Sequence, residues 1–166
     1  MKFEKQHKDG ELAYQRFKRI AESQGWAVKR ASDDQDINEH IDAFLKKDGR
    51  VVSVDVKDMK KLDRSDLEVQ DKYAFVEYMN VKGKPGWLFG KADIIAFATK
   101  TGFCVVGREA LIEYCNSVVD RKATVTKASD ALHKVYRREG RRDSMTLIEL
   151  ANLPKEIYRI WSENDG

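Results

Sequence analysis

Asp55 and Lys57 end an alternating run at 51–57, and a second aspartate, Asp42, lies thirteen residues before Asp55. Carboxylate oxygens bind hard divalent cations such as Mg²⁺, which polarise a phosphate and lower the pKa of a bound water. Lys57 projects on the same side of a strand as Asp55 and adds positive charge where negative charge would develop. These residue types therefore favour metal-assisted hydrolysis of a phosphate ester.

An Asp-Gly pair predicts how the two aspartates approach each other. Asp48-Gly49 separates two alternating runs, 40–46 and 51–57. This dipeptide favours a two-residue type I′ hairpin turn, because both central positions need positive φ. We therefore expect the two runs to form an antiparallel hairpin.

The expected register places like charges opposite each other. Asp42 faces Asp55 and His40 faces Lys57, whereas the other face of the hairpin is aliphatic. A shift by one residue would oppose aspartate to valine and mix the two faces. Opposed carboxylates destabilise a sheet, and a bound cation removes that cost. The alternative is a surface hairpin whose exposed side carries two acids and a lysine without binding a ligand.

Apolar periodicity predicts alternating helices and strands along the rest of the chain. A helix is expected at about 11–24, ending before Gly25, and another at 108–119, with a polar loop at 32–36 between them. The other expected elements are strands at 26–28, 73–79, 92–98, 103–106 and 145–150, a loop at 81–90 with Trp87 and Leu88 tucked inward, and a helix after Pro154 containing Ile157, Ile160 and Trp161. A chain of 166 residues with this pattern is predicted to form one α/β domain over 1–166.

Composition narrows the setting of the protein. Cys104 and Cys115 lie in apolar surroundings without a CxxC motif or a matching histidine pair, which predicts neither a disulfide framework nor a zinc site. A reducing, cytoplasmic location is expected, and no stretch of the chain has the apolar length of a signal peptide or membrane span. Charge is uneven, because residues 121–142 hold eight Lys/Arg and two acids in a chain whose net charge is +3.

The strand of Asp42, the hairpin and Asp55-Val56-Lys57 together resemble the PD-(D/E)XK nuclease superfamily, and in particular its resolvase-like and phage-type members. The resemblance covers about residues 10–106, with Ile41 where the superfamily has its nominal proline. It implies a restriction-endonuclease-like core, that is, a mixed central sheet flanked by helices, followed by a basic extension at 107–166. It also implies a Mg²⁺-dependent DNA endonuclease, with Mn²⁺ as a substitute, acting as a homodimer in the cytoplasm and encoded by a phage or prophage.

Roles for the central residues follow from this chemistry. Asp42, Asp55 and the backbone carbonyl of Val56 are expected to hold Mg²⁺, and Lys57 to orient the attacking water or neutralise charge on the phosphorane. Four further residues are candidates around this centre: Glu11 as the acid that the superfamily often places on its first helix, Gln15 one turn later as a neutral ligand, and His40 and Glu77 as auxiliary groups.

Basic residues outside this centre are expected to contact nucleic acid. Guanidinium and ammonium groups pair with phosphates and supply affinity without sequence information. The candidates are Lys60 and Lys61, shortly after the proposed catalytic strand, and Arg137, Arg138, Arg141 and Arg142, which surround a glycine.

Two other functions remain open at the level of sequence. The same fold could serve as a non-catalytic nucleic-acid-binding or assembly protein whose acids are vestigial. Alternatively, Trp87 and the glycine-rich loop could bind a protein partner without a metal. The intact Asp42, Asp55 and Lys57 favour the nuclease, because a decayed site usually loses one such group.

Overall fold

A computed structural model describes residues 2–163. The helices are α1 (Lys2–Ser23), α2 (Asp33–Glu39) and α3 (Arg108–Val118). The strands are β1 (Ala27–Arg30), β2 (Ala43–Lys47), β3 (Arg50–Lys57), β4 (Tyr73–Met79), β5 (Ile94–Ala98), β6 (Gly102–Gly107), β7 (Thr124–Val125), β8 (Val135–Tyr136), β9 (Ser144–Glu149) and β10 (Tyr158–Ser162). Short 3₁₀ helices lie at Trp87–Phe89, Ala128–Asp130, Leu150–Asn152 and Lys155–Ile157.

The chain divides into two compact units that alternate along the sequence. The first unit contains the residues up to Asp58, Lys91–Gly107 and the residues from Tyr158 onward. The second contains Met59–Gly90 and Arg108–Ile157. That the whole chain acts as one domain, with a core at 10–106, stays a prediction.

The first unit is built on a six-stranded mixed sheet with the strand order β1-β2-β3-β5-β6-β10. The β3–β5 pair is parallel and the other neighbours are antiparallel. Helix α1 packs on this sheet through the buried Phe17 ring, which meets Phe103 edge-on at 5.3 Å and stacks on Trp161 at 5.7 Å between ring centroids. The expected α/β class with a mixed sheet is confirmed.

Gly25 ends α1 as expected. It has φ +92°, a backbone conformation that side chains rarely adopt. The N–H of Trp26 donates to the carbonyl of Ala21, and the N–H of Gly25 donates to the carbonyl of Glu22. This is the Schellman pattern, which satisfies carbonyls that the helix leaves unpaired. The expected start at residue 11 was wrong, because α1 begins at Lys2.

The β2–β3 hairpin has the predicted turn and register. Asp48 and Gly49 have φ of +51° and +77°, as the two central positions of a type I′ turn require. Ala43 pairs with Val54, and the register continues unbroken to the turn. The expected strand at 40–46 was partly wrong, since the ladder stops at Ala43 and the three residues before it leave the strand.

Helix α2 replaces the loop predicted at 32–36. Ser32 is its N-cap, and a capping box is complete, because the Ser32 hydroxyl accepts from the N–H of Gln35 and the Gln35 side chain accepts from the N–H of Ser32. Three aspartates in the first turn complement the positive end of the helix dipole. Polar composition alone therefore gave the wrong prediction.

The helix predicted after Pro154 was also wrong. A short 3₁₀ turn at Lys155–Ile157 leads directly into β10, which pairs antiparallel with β6. The spacing of Ile157, Ile160 and Trp161 fits a helix, but so short an apolar run does not distinguish helix from strand. Pairing with the open edge of β6 decides the outcome.

The second unit has its own four-stranded sheet with the order β4-β9-β8-β7. Strand β4 has the predicted bounds, and α3 lies within one residue of its predicted end. Trp87 and Leu88 are buried in the turn that follows β4, as expected. Among residues 2–163, no helix has the length and apolar character needed to cross a bilayer.

Candidate active site

Asp42 is held at the open end of the hairpin by the backbone of β3. Its N–H donates to the carbonyl of Val54 at 2.8 Å, and its Oδ2 accepts from the N–H of Val56 at 2.6 Å. Because the chain leaves the ladder at this point, the carboxylate itself takes the place of a strand partner. The expected backbone pairs of residues 40–42 with 55–57 do not form, but the side chain of Asp42 still reaches Asp55.

Asp55 and Lys57 project from the same face of β3, as their spacing requires. The Lys57 Nζ lies 3.2 Å from Oδ1 of Asp55. Asp55 is only 4% exposed, and its other oxygen, Oδ2, is buried without a hydrogen-bond donor within residues 2–163. A buried carboxylate oxygen without a donor is costly unless a proton or a cation meets it.

The side chains of Asp42 and Asp55 lie within hydrogen-bonding reach of each other. Burial and the neighbouring Asp55 carboxylate raise the pKa of Asp42 to about 6, against the opposing effects of the Val56 N–H and Lys57. Burial also raises the pKa of Asp55, and Lys57 opposes that rise. Without a metal, Asp42 therefore titrates with a pKa of about 6, and a divalent cation bound by the two carboxylates would displace protons from them.

Asp36 is a third carboxyl at this centre that sequence reasoning missed. It lies on α2, and its side chain forms a hydrogen bond with Asp42. Partial burial and then the Asp42 charge raise the pKa of Asp36. The capping box of Ser32 and Gln35 was the available signal, because it predicts the helix that brings residue 36 back toward the hairpin.

The candidates on α1 form a separate cluster. The Gln15 amide donates to Oε1 of Glu11 at 3.0 Å, and Arg30 forms an ion pair with Oε2 of Glu11. The Arg30 guanidinium also lies over the Tyr14 ring, 4.1 Å from its centroid. Asp42 acts electrostatically on both Arg30 and Tyr14, so this cluster adjoins the acidic centre, which is the pair Asp42 and Asp55. Arg30 and Tyr14 were not predicted.

His40 and Glu77 have backbone partners that account for their positions. His40 is the C-cap of α2 in the left-handed conformation, and its N–H donates to the carbonyl of Gln35. Glu77 lies in the second unit, where its Oε1 accepts from the N–H of Trp87 at 3.3 Å. Both contacts support local structure, and neither residue is needed to explain the acidic centre.

The basic candidates all lie in the second unit, and they differ in what they contact. Arg138 donates to Oδ2 of Asp143 at 3.0 Å, and Arg141 lies 3.9 Å from Oδ1 of the same buried acid. Arg137 and Arg142 are exposed, as are Lys60 and Lys61. Half of the predicted arginines are therefore engaged with an acid of their own chain.

No protein-family model matches this sequence, and no curated protein matches it. Among solved structures, the chain is similar to a bacterial homing endonuclease, I-Ssp6803I, with a TM-score of 0.46 and 18% sequence identity. The match covers 64% of this chain and 67% of the endonuclease chain. The chemistry assigned to the site therefore rests on its own geometry.

The donor set fits a magnesium ion with few protein ligands. Across residues 2–163, no three His, Cys, Asp or Glu side chains are grouped to bind one metal ion. Mg²⁺ commonly uses one or two carboxylates and takes its other ligands from water and substrate phosphate. Asp42 and Asp55 would supply that number, and a cation there would meet the buried oxygen of Asp55 that lacks a donor.

Proposed function

We propose that this protein is a Mg²⁺-dependent endonuclease that hydrolyses phosphodiester bonds in DNA. One observation carries the proposal: the carboxyl groups of Asp42 and Asp55 converge beside Lys57, and one buried oxygen of Asp55 lacks a donor. Like charges held together and buried are unfavourable for folding alone. A site that keeps them is suited to bind a cation.

Asp42, Asp55 and the carbonyl of Val56 would hold the ion, and Mn²⁺ would substitute for it. Bound Mg²⁺ supplies Lewis acidity toward the phosphate and makes a coordinated water more acidic. The protein's own contribution is to fix the ligands. The Val56 N–H orients Asp42, and the Lys57 ammonium orients Asp55.

Lys57 also has a direct role in the proposed reaction. Water attacks phosphorus and releases a proton to solvent, the bond to the leaving oxygen breaks, and that oxygen takes up a proton, while negative charge builds on the phosphoryl oxygens during the attack. The Lys57 ammonium, at the edge of the acidic pair, stabilises that charge and positions the water. Preorganised groups of this kind commonly contribute on the order of a hundred- to thousandfold in rate.

Plasmid cleavage tests this function. Wild-type protein should nick or linearise supercoiled DNA with Mg²⁺ or Mn²⁺ and not with EDTA, whereas Lys57→Ala should be at least about a hundredfold slower. Lys46→Ala is the matched control, because Lys46 is an exposed lysine on the same hairpin. This variant should cleave DNA at the wild-type rate. Branched and single-stranded substrates in parallel define the preferred DNA form.

Two results would contradict the proposal. Equal rates for Lys57→Ala and wild type would remove Lys57 from the chemistry. DNA binding without cleavage under any metal condition would instead support the non-catalytic, nucleic-acid-binding alternative.

We also propose that the protein is a homodimer, since paired subunits can cut both strands of a duplex. Light scattering of the intact chain measures its mass in solution.

A further inference from the structure

The β1–β2 ladder brings an arginine to the acidic centre. Arg30 is the last residue of β1 and pairs with Ala43, the first residue of β2. The next N–H, that of Ala31, donates to the carbonyl of Asp42 at 2.9 Å. Arg30 and Asp42 therefore lie on adjacent strand ends, fixed by backbone hydrogen bonds.

Two contacts from α1 fix the guanidinium of Arg30. One face of it lies over the Tyr14 ring, 4.1 Å from the ring centroid, and its Nη2 is ion-paired with Glu11. Glu11 is itself held by the Gln15 amide at 3.0 Å. A planar guanidinium that is stacked and paired loses little further freedom when it binds a planar or tetrahedral anion. The Arg30 side chain is 52% exposed, so a ligand in solution can reach the guanidinium.

The position of Glu11 argues against a primary role in metal binding. Both oxygens of Glu11 contact donors from α1 and β1, Oε1 with Gln15 and Oε2 with Arg30, whereas the side chains of Asp42 and Asp55 meet each other. Those contacts organise Arg30. The arrangement is also more than an exposed ion pair, which by itself contributes little, because stacking on Tyr14 and the β1–β2 ladder also hold Arg30 in place.

We infer that Arg30 binds a phosphate of the DNA backbone beside the acidic pair, and that Glu11 is a positioning residue for Arg30 and not a metal ligand. This inference rests on the proposed function for the identity of the substrate. Asp42 and Asp55 would otherwise repel the backbone, and a fixed cation next to them offsets that repulsion while leaving the metal ligands in place. Arginine suits the role because its donors match phosphate oxygens two at a time.

The salt dependence of DNA binding in EDTA tests Arg30 without requiring catalysis. Each phosphate contact contributes about 0.9 to the slope of log affinity against log salt. With a short fluorescent duplex, Arg30→Ala should bind more weakly and lose about one contact from that slope, whereas Arg30→Lys should keep the slope. Lys29→Ala is the matched control, because Lys29 is an exposed cation next to Arg30 that points to the other face of β1.

Metal binding and a double-mutant cycle test Glu11. Glu11→Gln should bind Mn²⁺ within about twofold of wild type, whereas loss of a true ligand or its direct support costs roughly tenfold or more. On DNA affinity, Glu11→Gln should have no added effect once Arg30 is alanine, because Glu11 acts through Arg30. An additive effect would indicate an independent structural role.

The outcomes separate this inference from the proposed function. An unchanged salt slope in Arg30→Ala, a tenfold loss of Mn²⁺ affinity in Glu11→Gln, or a wild-type protein without affinity for the duplex would overturn the inference. Failure of the proposed function appears elsewhere, as a wild-type protein that binds DNA but never cleaves it with Mg²⁺ or Mn²⁺. Thermal melting of each variant confirms that it is folded.

Discussion

The acidic pair in the first unit and the arginine segment at 137–142 in the second unit both concentrate charge of one sign, but they are compensated differently. Arg138 and Arg141 converge on Asp143, a buried acid of their own chain. Asp42 and Asp55 converge on each other, with Lys57 as the nearest compensating charge that contacts Asp55. Clustered charge that meets its opposite is compensated within the fold, whereas clustered charge of one sign favours a ligand.

Neutralising one acid of the pair should have the largest effect. Asp55→Asn keeps the size of the side chain but removes the charge that would hold the cation, and its cleavage rate should fall by about a hundredfold or more. Isothermal titration with Mn²⁺ should show a matching loss of affinity. Asp48→Asn is the control, since it makes the same change at an exposed turn position of the hairpin, where asparagine also accepts positive φ. Equal metal affinity in the two variants would exclude Asp55 as a ligand.

Removing the acid of the arginine segment should instead destabilise the protein. Asp143 is 5% exposed, and its loss leaves Arg138 half-buried without its anion. Asp143→Ala should lower the free energy of unfolding by about 2 kcal/mol, below the range for fully buried pairs because Arg138 remains partly solvated. Urea denaturation measures this change in the free energy of unfolding. Glu139→Ala, an exposed acid four residues away, should change stability little, and equal effects of the two variants would contradict a structural role for Asp143.

Replacing Asp42, in contrast to Asp143, should stabilise the metal-free protein. Its folded pKa of about 6 lies above the ordinary value of 3.8 for an aspartate, so the folded state favours the neutral form and the metal-free protein loses stability as pH rises through about 6. Asp42→Asn removes that titration and should stabilise the metal-free protein at pH 8 by on the order of 2 kcal/mol. Below the unfolded pKa both proteins are neutral at this position, so their stabilities should converge.

A bound metal should reverse the order of stability of wild type and Asp42→Asn. Mg²⁺ or Mn²⁺ stabilises only a protein that binds it in the folded state, so wild type should gain stability at pH 8 while Asp42→Asn should not. Melting curves with EDTA and with excess metal give both comparisons. If Asp42→Asn is less stable than wild type in EDTA at pH 8, then the acidic pair is not under electrostatic strain and the contrast with the arginine segment fails.

Local signals carried most of what the sequence predicted about the site. Asp48-Gly49 determined the turn, and the register from Ala43 to Lys47 brings Asp42 to the end of the hairpin, where its side chain reaches Asp55. The same reasoning did not predict the features that depend on long-range packing. Strand β10 forms because β6 offers an edge, and the Arg30 cluster forms because α1 covers β1, which no short window of sequence reveals.

Helix α2 is a different kind of miss, because its signal was local. Ser32 and Gln35 have the spacing of a capping box, yet the density of aspartates between 32 and 36 favoured a loop. Aspartate at the N-terminal turn of a helix is instead stabilising. The consequence was functional, since overlooking the helix meant overlooking Asp36 as a neighbour of the acidic pair.

The smallest effect should come from removing that cap. Ser32→Ala deletes the hydroxyl that accepts from the Gln35 N–H and should lower the free energy of unfolding by about 1 kcal/mol. In Ser117→Ala, the control, the lost hydroxyl only donates back to the Tyr114 carbonyl within α3, so the change should be near zero. Because α2 carries Asp36 against Asp42, Ser32→Ala should also alter the pH dependence of Mn²⁺ binding, and Ser117→Ala should not. A cap that matters for stability but leaves that pH dependence unchanged would mean that Asp36 contributes nothing to the acidic pair.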